Sequence, residues 1–112
     1  MRYILDAHPR LACPPESKFL LAIQCLVAHP QILHGLESLG CSIDDLLVDF
    51  GRLAGGILGR YASQVGKPRW VDKTPNYYSL LPLIDRMFER NCLYVFITRH
   101  PLDTIESLAA SP

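Results

Sequence analysis

A chain of 112 residues is long enough for one small domain with a core and short for a complete two-substrate enzyme. Its 11 Lys and Arg equal its 11 Asp and Glu, which excludes a polyanion-binding surface spread over the whole domain and leaves no basis for nucleic-acid binding. A hydrophobic fraction of 49% is ordinary for a globular protein and excludes general disorder.

In chain order, residues 1–7 place Tyr3, Ile4 and Ala7 on one helical face, and His8-Pro9 ends the pattern. This reads as the last turns of a helix. Leu11 to Cys13 is a short strand closed by Pro14-Pro15. Ser17 is the expected N-cap of a helix with Phe19, Leu20, Ile23, Leu26 and Val27 on its apolar face, stopped at His29-Pro30.

Ser42 followed by Asp45 forms a capping box, with Asp in place of the usual Glu. Ile43, Leu46, Leu47, Phe50, Leu53, Ile57, Leu58 and Tyr61 then recur at helical spacing. Gly55-Gly56 inside this helix costs about 1 kcal/mol per glycine against alanine and marks either close packing against a neighbour or a break. The helix reads as scaffold.

Arg69 to Val71 is a second short strand, leading into Asp72-Lys73-Thr74-Pro75, where Thr74 and Pro75 suit an N-cap and the first helical position. Leu80, Leu81, Ile84, Met87 and Phe88 mark the next helical face, with Pro82 bending or delaying its first turn. Leu93 to Thr98 is a continuous apolar, β-rich run, as expected of a parallel strand buried on both faces. Arg99-His100-Pro101 turns the chain into a closing helix carrying Leu102, Ile105, Leu108 and Ala109. Strand, turn and helix in that order put Arg99 at the carboxyl edge of a sheet, where open α/β folds bind ligands.

The four cysteines, at 13, 25, 41 and 92, have no CxxC pair and no metal-ligand spacing, so reduced and mostly buried thiols are expected, with no metal. No apolar run approaches the ~18 residues of a membrane helix, and MRYILDAHPR has no signal-peptide-like core. A cytoplasmic protein without a membrane partner fits this pattern.

The segment VFITRHPLDTIES resembles the 3′-phosphate-binding strand, turn and helix of the sulfotransferases that use 3′-phosphoadenosine-5′-phosphosulfate. The family's phosphate-gripping Arg and the Ser eight residues later match Arg99 and Ser107. An Arg fork can hold a phosphate bidentately, and a Ser on the following helix adds a hydroxyl donor. RWVDKTPNYYSLL resembles the family's Lys-Thr-Pro segment at the substrate cleft, with Lys73 matching its lysine. LDAHPRLACPPESKF is similar to the stretch after the 5′-phosphosulfate loop, above all in the tyrosylprotein-sulfotransferase-like and bacterial branches, and places Glu16 at the general base.

The resemblance implies a three-layer α/β fold with a mainly parallel sheet, P-loop NTPase-like and partial, as a single domain over residues 1–112. It implies transfer of a sulfuryl group from 3′-phosphoadenosine-5′-phosphosulfate to an acceptor hydroxyl of a sugar, a tyrosine or a small-molecule alcohol. Glu16 would take the acceptor proton, Lys73 would stabilise the leaving group or orient the acceptor, and Arg99 and Ser107 would position the donor. The family's 5′-phosphosulfate loop has no counterpart, so the expectation is a fragment with little activity, prone to oligomerise through an uncovered sheet edge. His100 stands where the family commonly has an acidic residue.

Plainer roles compete at each position. Glu16 could complement a helix dipole, Lys73 could be solvated, and Arg99 could pair with Asp103. Asp72 is either an orienting group for Lys73 or a surface carboxylate, the histidines are turn or cap residues, and Tyr77 and Tyr78 are partly buried. Two other functions are a nucleotide kinase, which lacks its GxxxxGK[ST] loop and Mg²⁺-binding Asp here, and a non-catalytic truncated module.

Overall fold

The computed structural model describes residues 1–110. Helix α1 spans Arg2–Asp6 and leads to strand β1, Leu11–Ala12. A 3₁₀ turn over Phe19–Leu21 opens helix α2, Ala22–Ala28, and helix α3 follows at Pro30–Ser38. The long helix α4, Ile43–Gln64, precedes strand β2, Arg69–Trp70. A second 3₁₀ segment, Pro75–Leu80, runs into helix α5, Leu81–Met87, and helix α6 covers Pro101–Ala110.

Most of these elements follow from local signals. The Ser42 hydroxyl accepts the Asp45 N–H at 3.1 Å, and the Asp45 carboxylate accepts the Ser42 N–H at 2.9 Å. The capping box is therefore complete, and the Ser42 N–H, together with the Ser42 hydroxyl 2.9 Å from the same Asp45 oxygen, holds the Asp45 carboxyl below its ordinary value. At the other end of α4, Gly66 adopts φ +73°, and the Lys67 N–H returns to the Ala62 carbonyl at 2.9 Å. This left-handed stop redirects the chain into β2. Pro82 delays α5 as its sequence position implies: the chain runs as a 3₁₀ segment to Leu80 before the α-helix starts.

Helix α3 has no counterpart in the sequence reading, which ended its helix at His29-Pro30. The extended His29, with ψ 106°, allows Pro30 to start a new helix instead of only ending the previous one. Ser17 does not cap a helix either. Lys18 takes a left-handed conformation, φ 56°, between it and the 3₁₀ turn, and this frees the Ser17 hydroxyl for a partner elsewhere.

The core forms where α2, α4, the 3₁₀ segment and α5 meet. Ile23, Leu47 and Leu80 are fully buried there, with Met87 and Ile84 nearly so. At 22 residues α4 is unbroken through Gly55-Gly56, and a side chain at Gly56 would meet nothing within 4 Å. The close approach lies one turn earlier, at Gly51, where a Cβ would stand 2.1 Å from the Met87 carbonyl oxygen.

The sheet among the described residues is a two-stranded parallel pair, with Leu11 beside Arg69 and Ala12 beside Trp70. Parallel pairing agrees with the sequence, and the other regular elements among the described residues are helical. The expected buried strand at Leu93–Thr98 takes no regular structure, and Leu93, Val95, Phe96 and Ile97 are exposed. A parallel strand needs a hydrogen-bonded neighbour and cover on its faces. Here a groove of about 900 Å³ is lined by residues of both 68–74 and 93–97, and no strand pairing joins the two segments among the described residues. The closing helix α6 does form, but its expected apolar face is exposed.

All four cysteines are free thiols. Cys13 alone is fully buried, and burial pushes its thiol up; Cys25 is exposed, against the expectation of mostly buried thiols. Tyr77 is buried as expected, whereas Tyr78 is exposed. His8 and His100 do serve turns, each accepting a backbone N–H two residues on through Nδ1. No single helix among the described residues is long and apolar enough to cross a membrane.

Candidate active site at the carboxyl ends of the parallel strands

Because β1 and β2 run parallel, the segments that leave them emerge at the same end of the sheet. The Val71 N–H donates to the Ala12 carbonyl at 2.9 Å and extends the pairing to the point where the chains turn away. Beyond it, Lys73 Nζ donates to Glu16 Oε1 at 3.1 Å. Residues 57 apart in the chain thus form an ion pair at the strand ends. Both side chains are about one-third exposed, so the pair opens to solvent and can be reached by a ligand.

Around this pair sits a hydroxyl network. The Ser17 hydroxyl donates to Asp72 Oδ2 at 2.8 Å, and the Thr74 hydroxyl donates to Asp72 Oδ1 at 3.2 Å. The Tyr77 hydroxyl lies 3.3 Å from Ser17 Oγ. Since the Ser17 proton goes to the carboxylate, Tyr77 is the donor to Ser17. Burial pushes the Tyr77 phenol up, which keeps its proton in place for that bond.

A third set of contacts anchors β1 from behind. Asp6 Oδ1 accepts the Cys13 N–H at 2.9 Å, Lys67 Nζ lies 3.5 Å from the same oxygen and also donates to the Asp6 carbonyl, and Arg2 donates to the Cys13 carbonyl at 3.2 Å. The Cys13 N–H, with the charges of Lys67 and Arg2, holds the Asp6 carboxyl below its usual range. These bonds fix the exit of β1, from which Glu16 follows three residues later.

The hydrogen bonds of this cluster do not involve Arg99. Arg99 is exposed in the turn before α6, and Ser107 is exposed on that helix. Among the described residues the ion pairs are Asp49–Arg52, Asp6–Lys67, Glu16–Lys73 and Asp44–Arg86, so the Arg99–Asp103 pair is not formed. The Arg99 guanidinium is thereby left available to an anion. No group of His, Cys, Asp and Glu that could hold a metal ion occurs among the described residues.

The sequence pointed to Glu16 and Lys73 separately, and the structure brings them together. It did not point to the Ser17–Asp72–Thr74 link. Asp72 and Thr74 flank Lys73 in the chain, but nothing in the sequence signals a bond between residues 55 positions apart.

A family model described as the sulfotransferase family matches residues 1–111, essentially the whole chain. The chain belongs to the sulfotransferase family. Membership implies a P-loop-like α/β fold, of which the parallel β1–β2 pair is the part formed here, and a transferase activity. No curated protein and no solved structure shows significant similarity to the chain.

Proposed function

We propose that this sulfotransferase-family chain serves transfer of a sulfuryl group from 3′-phosphoadenosine-5′-phosphosulfate to a hydroxyl-bearing acceptor. The observation that carries the reading is the Glu16–Lys73 pair at the carboxyl ends of the parallel strands, where open α/β sheets bind their ligands. The acceptor oxygen bonds to the donor's sulfur as the bridging O–S bond breaks, and adenosine 3′,5′-bisphosphate leaves with that bond's electron pair. Lys73 engages Glu16 Oε1, which leaves Oε2 to accept the proton of an acceptor O–H. The Lys73 ammonium beside it can orient the acceptor oxygen or face charge that develops during transfer.

Arg99 and Ser107 are assigned to the 3′-phosphate. The fit rests on an exposed guanidinium outside every ion pair among the described residues, with a hydroxyl on the helix that follows.

Calorimetric titration of the chain with adenosine 3′,5′-bisphosphate tests the donor assignment. Binding is expected, and Arg99→Ala should weaken it about 10- to 100-fold, the worth of a hydrogen bond to a charged group. Glu16→Gln should bind as the parent does. A folded chain that takes up no bisphosphate, or an Arg99→Ala variant that binds unchanged, overturns the assignment.

A further inference from the structure

Glu16 and Lys73 stand on segments that leave different strands, and each carries a long side chain in contact with water. An exposed pair of this kind is worth little by itself and does not hold two loops together. The segments are joined instead by Asp72. One of its carboxylate oxygens accepts the hydroxyl of Ser17, next to Glu16, and the other accepts the hydroxyl of Thr74, next to Lys73. Ser17 is fixed from its other side by the Tyr77 hydroxyl, and Tyr77 and Thr74 are both buried.

We infer that Asp72 is a positioning residue of the site, its carboxylate clamping the Glu16 segment to the Lys73 segment through the hydroxyls of Ser17 and Thr74. Both of its oxygens are occupied by protein hydroxyls, so it acts through its neighbours and not on the acceptor. The chemistry favours a carboxylate here. Ser17 and Thr74 both present donors, and each meets a different oxygen of the carboxylate, which an amide, with its one carbonyl oxygen, does not offer. The clamp also accounts for a serine that precedes a helical turn without capping it. The inference rests on the proposed function in taking the Glu16–Lys73 pair as the acceptor end of the site.

The test is competitive acylation of the lysines with acetic anhydride in the intact chain, read residue by residue by mass spectrometry. Lys18, which is exposed, and Lys67, which is paired with Asp6, serve as internal references. An amine held by a carboxylate acylates more slowly. Loss of an exposed pair worth up to about 1 kcal/mol should therefore raise the Lys73 rate about two- to fivefold. Glu16→Gln sets that scale. Asp72→Ala is expected to reproduce the rise at Lys73 while Lys18 and Lys67 keep their rates. Ser17→Ala cuts only the arm to the Glu16 segment and should do the same, and Asp72→Asn, which keeps one acceptor oxygen, should fall between.

A Lys73 rate unchanged by Asp72→Ala, with Glu16→Gln raising it, overturns the clamp. So does a rise at all three lysines in both Asp72→Ala and Ser17→Ala, which is the mark of a merely structural residue. Titration of Asp72→Ala with adenosine 3′,5′-bisphosphate is the separate arm and should match the parent. Failure of the parent to bind would count against the donor assignment, while the acylation pattern decides Asp72.

Discussion

Glycine 51 offers a sharp test of how the scaffold is packed. A Cβ built there lies 2.1 Å from the Met87 carbonyl oxygen and 2.7 Å from its carbon, whereas ordinary contact begins at 3.4 Å. The end of α5 would have to retreat by about 1.3 Å, the gap between those distances, or α4 would have to shift. The obstacle is backbone at the end of a helix whose Met87 and Ile84 side chains are locked in the core, so the cost should fall near the upper end of the usual 1–3 kcal/mol for overpacking. Alanine returns about 1 kcal/mol of helix propensity. The net loss in Gly51→Ala is therefore about 2 kcal/mol, or roughly 8 °C in Tm for a domain of this size. Gly56→Ala, in the same helix with open space around it, collects only the gain and should be about 1 kcal/mol more stable. Urea unfolding followed by circular dichroism measures both. A Gly51→Ala protein as stable as the parent would show that α4 and α5 do not approach as closely as described.

Two further predictions concern the ends of the scaffold. Because the Asp6 carboxyl is held below its ordinary 3.8, its contribution to stability is fully present above that pH and is lost as pH falls through the lower folded-state value. Asp6→Asn should thus be less stable than the parent near neutral pH, and the difference in urea midpoint should shrink on acidification below about pH 4; a difference that is constant with pH would refute the linkage. Ser42→Ala removes the side-chain half of the capping box on α4 and should cost about 1 kcal/mol in the same unfolding assay. An unchanged midpoint would show that the cap contributes nothing.

Residues whose partners lie within a few positions were legible in the sequence. The Ser42–Asp45 box, the delayed start of α5 at Pro82, the turn roles of His8 and His100 and the two short strands all rest on local geometry. The sequence motifs also single out Glu16, Lys73, Arg99 and Ser107. What depended on distant partners was not legible. Gly55-Gly56 drew attention as a pair, but the helix that comes close to α4 reaches it at Gly51, and only the placement of α5 decides that. LYVFIT has the composition of a buried strand. Composition states a preference, whereas a strand exists only when another backbone lies alongside to take its hydrogen bonds, and among the described residues none pairs with this segment. Ser17 followed the N-cap pattern, yet its hydroxyl found Asp72 across the sheet end because the parallel register of β1 and β2 brings their exits together. By itself the sequence determined the family, the α4 cap and the two short strands. The tertiary structure decided which side chains meet, because that depends on strand register and helix packing between residues some 55 positions apart.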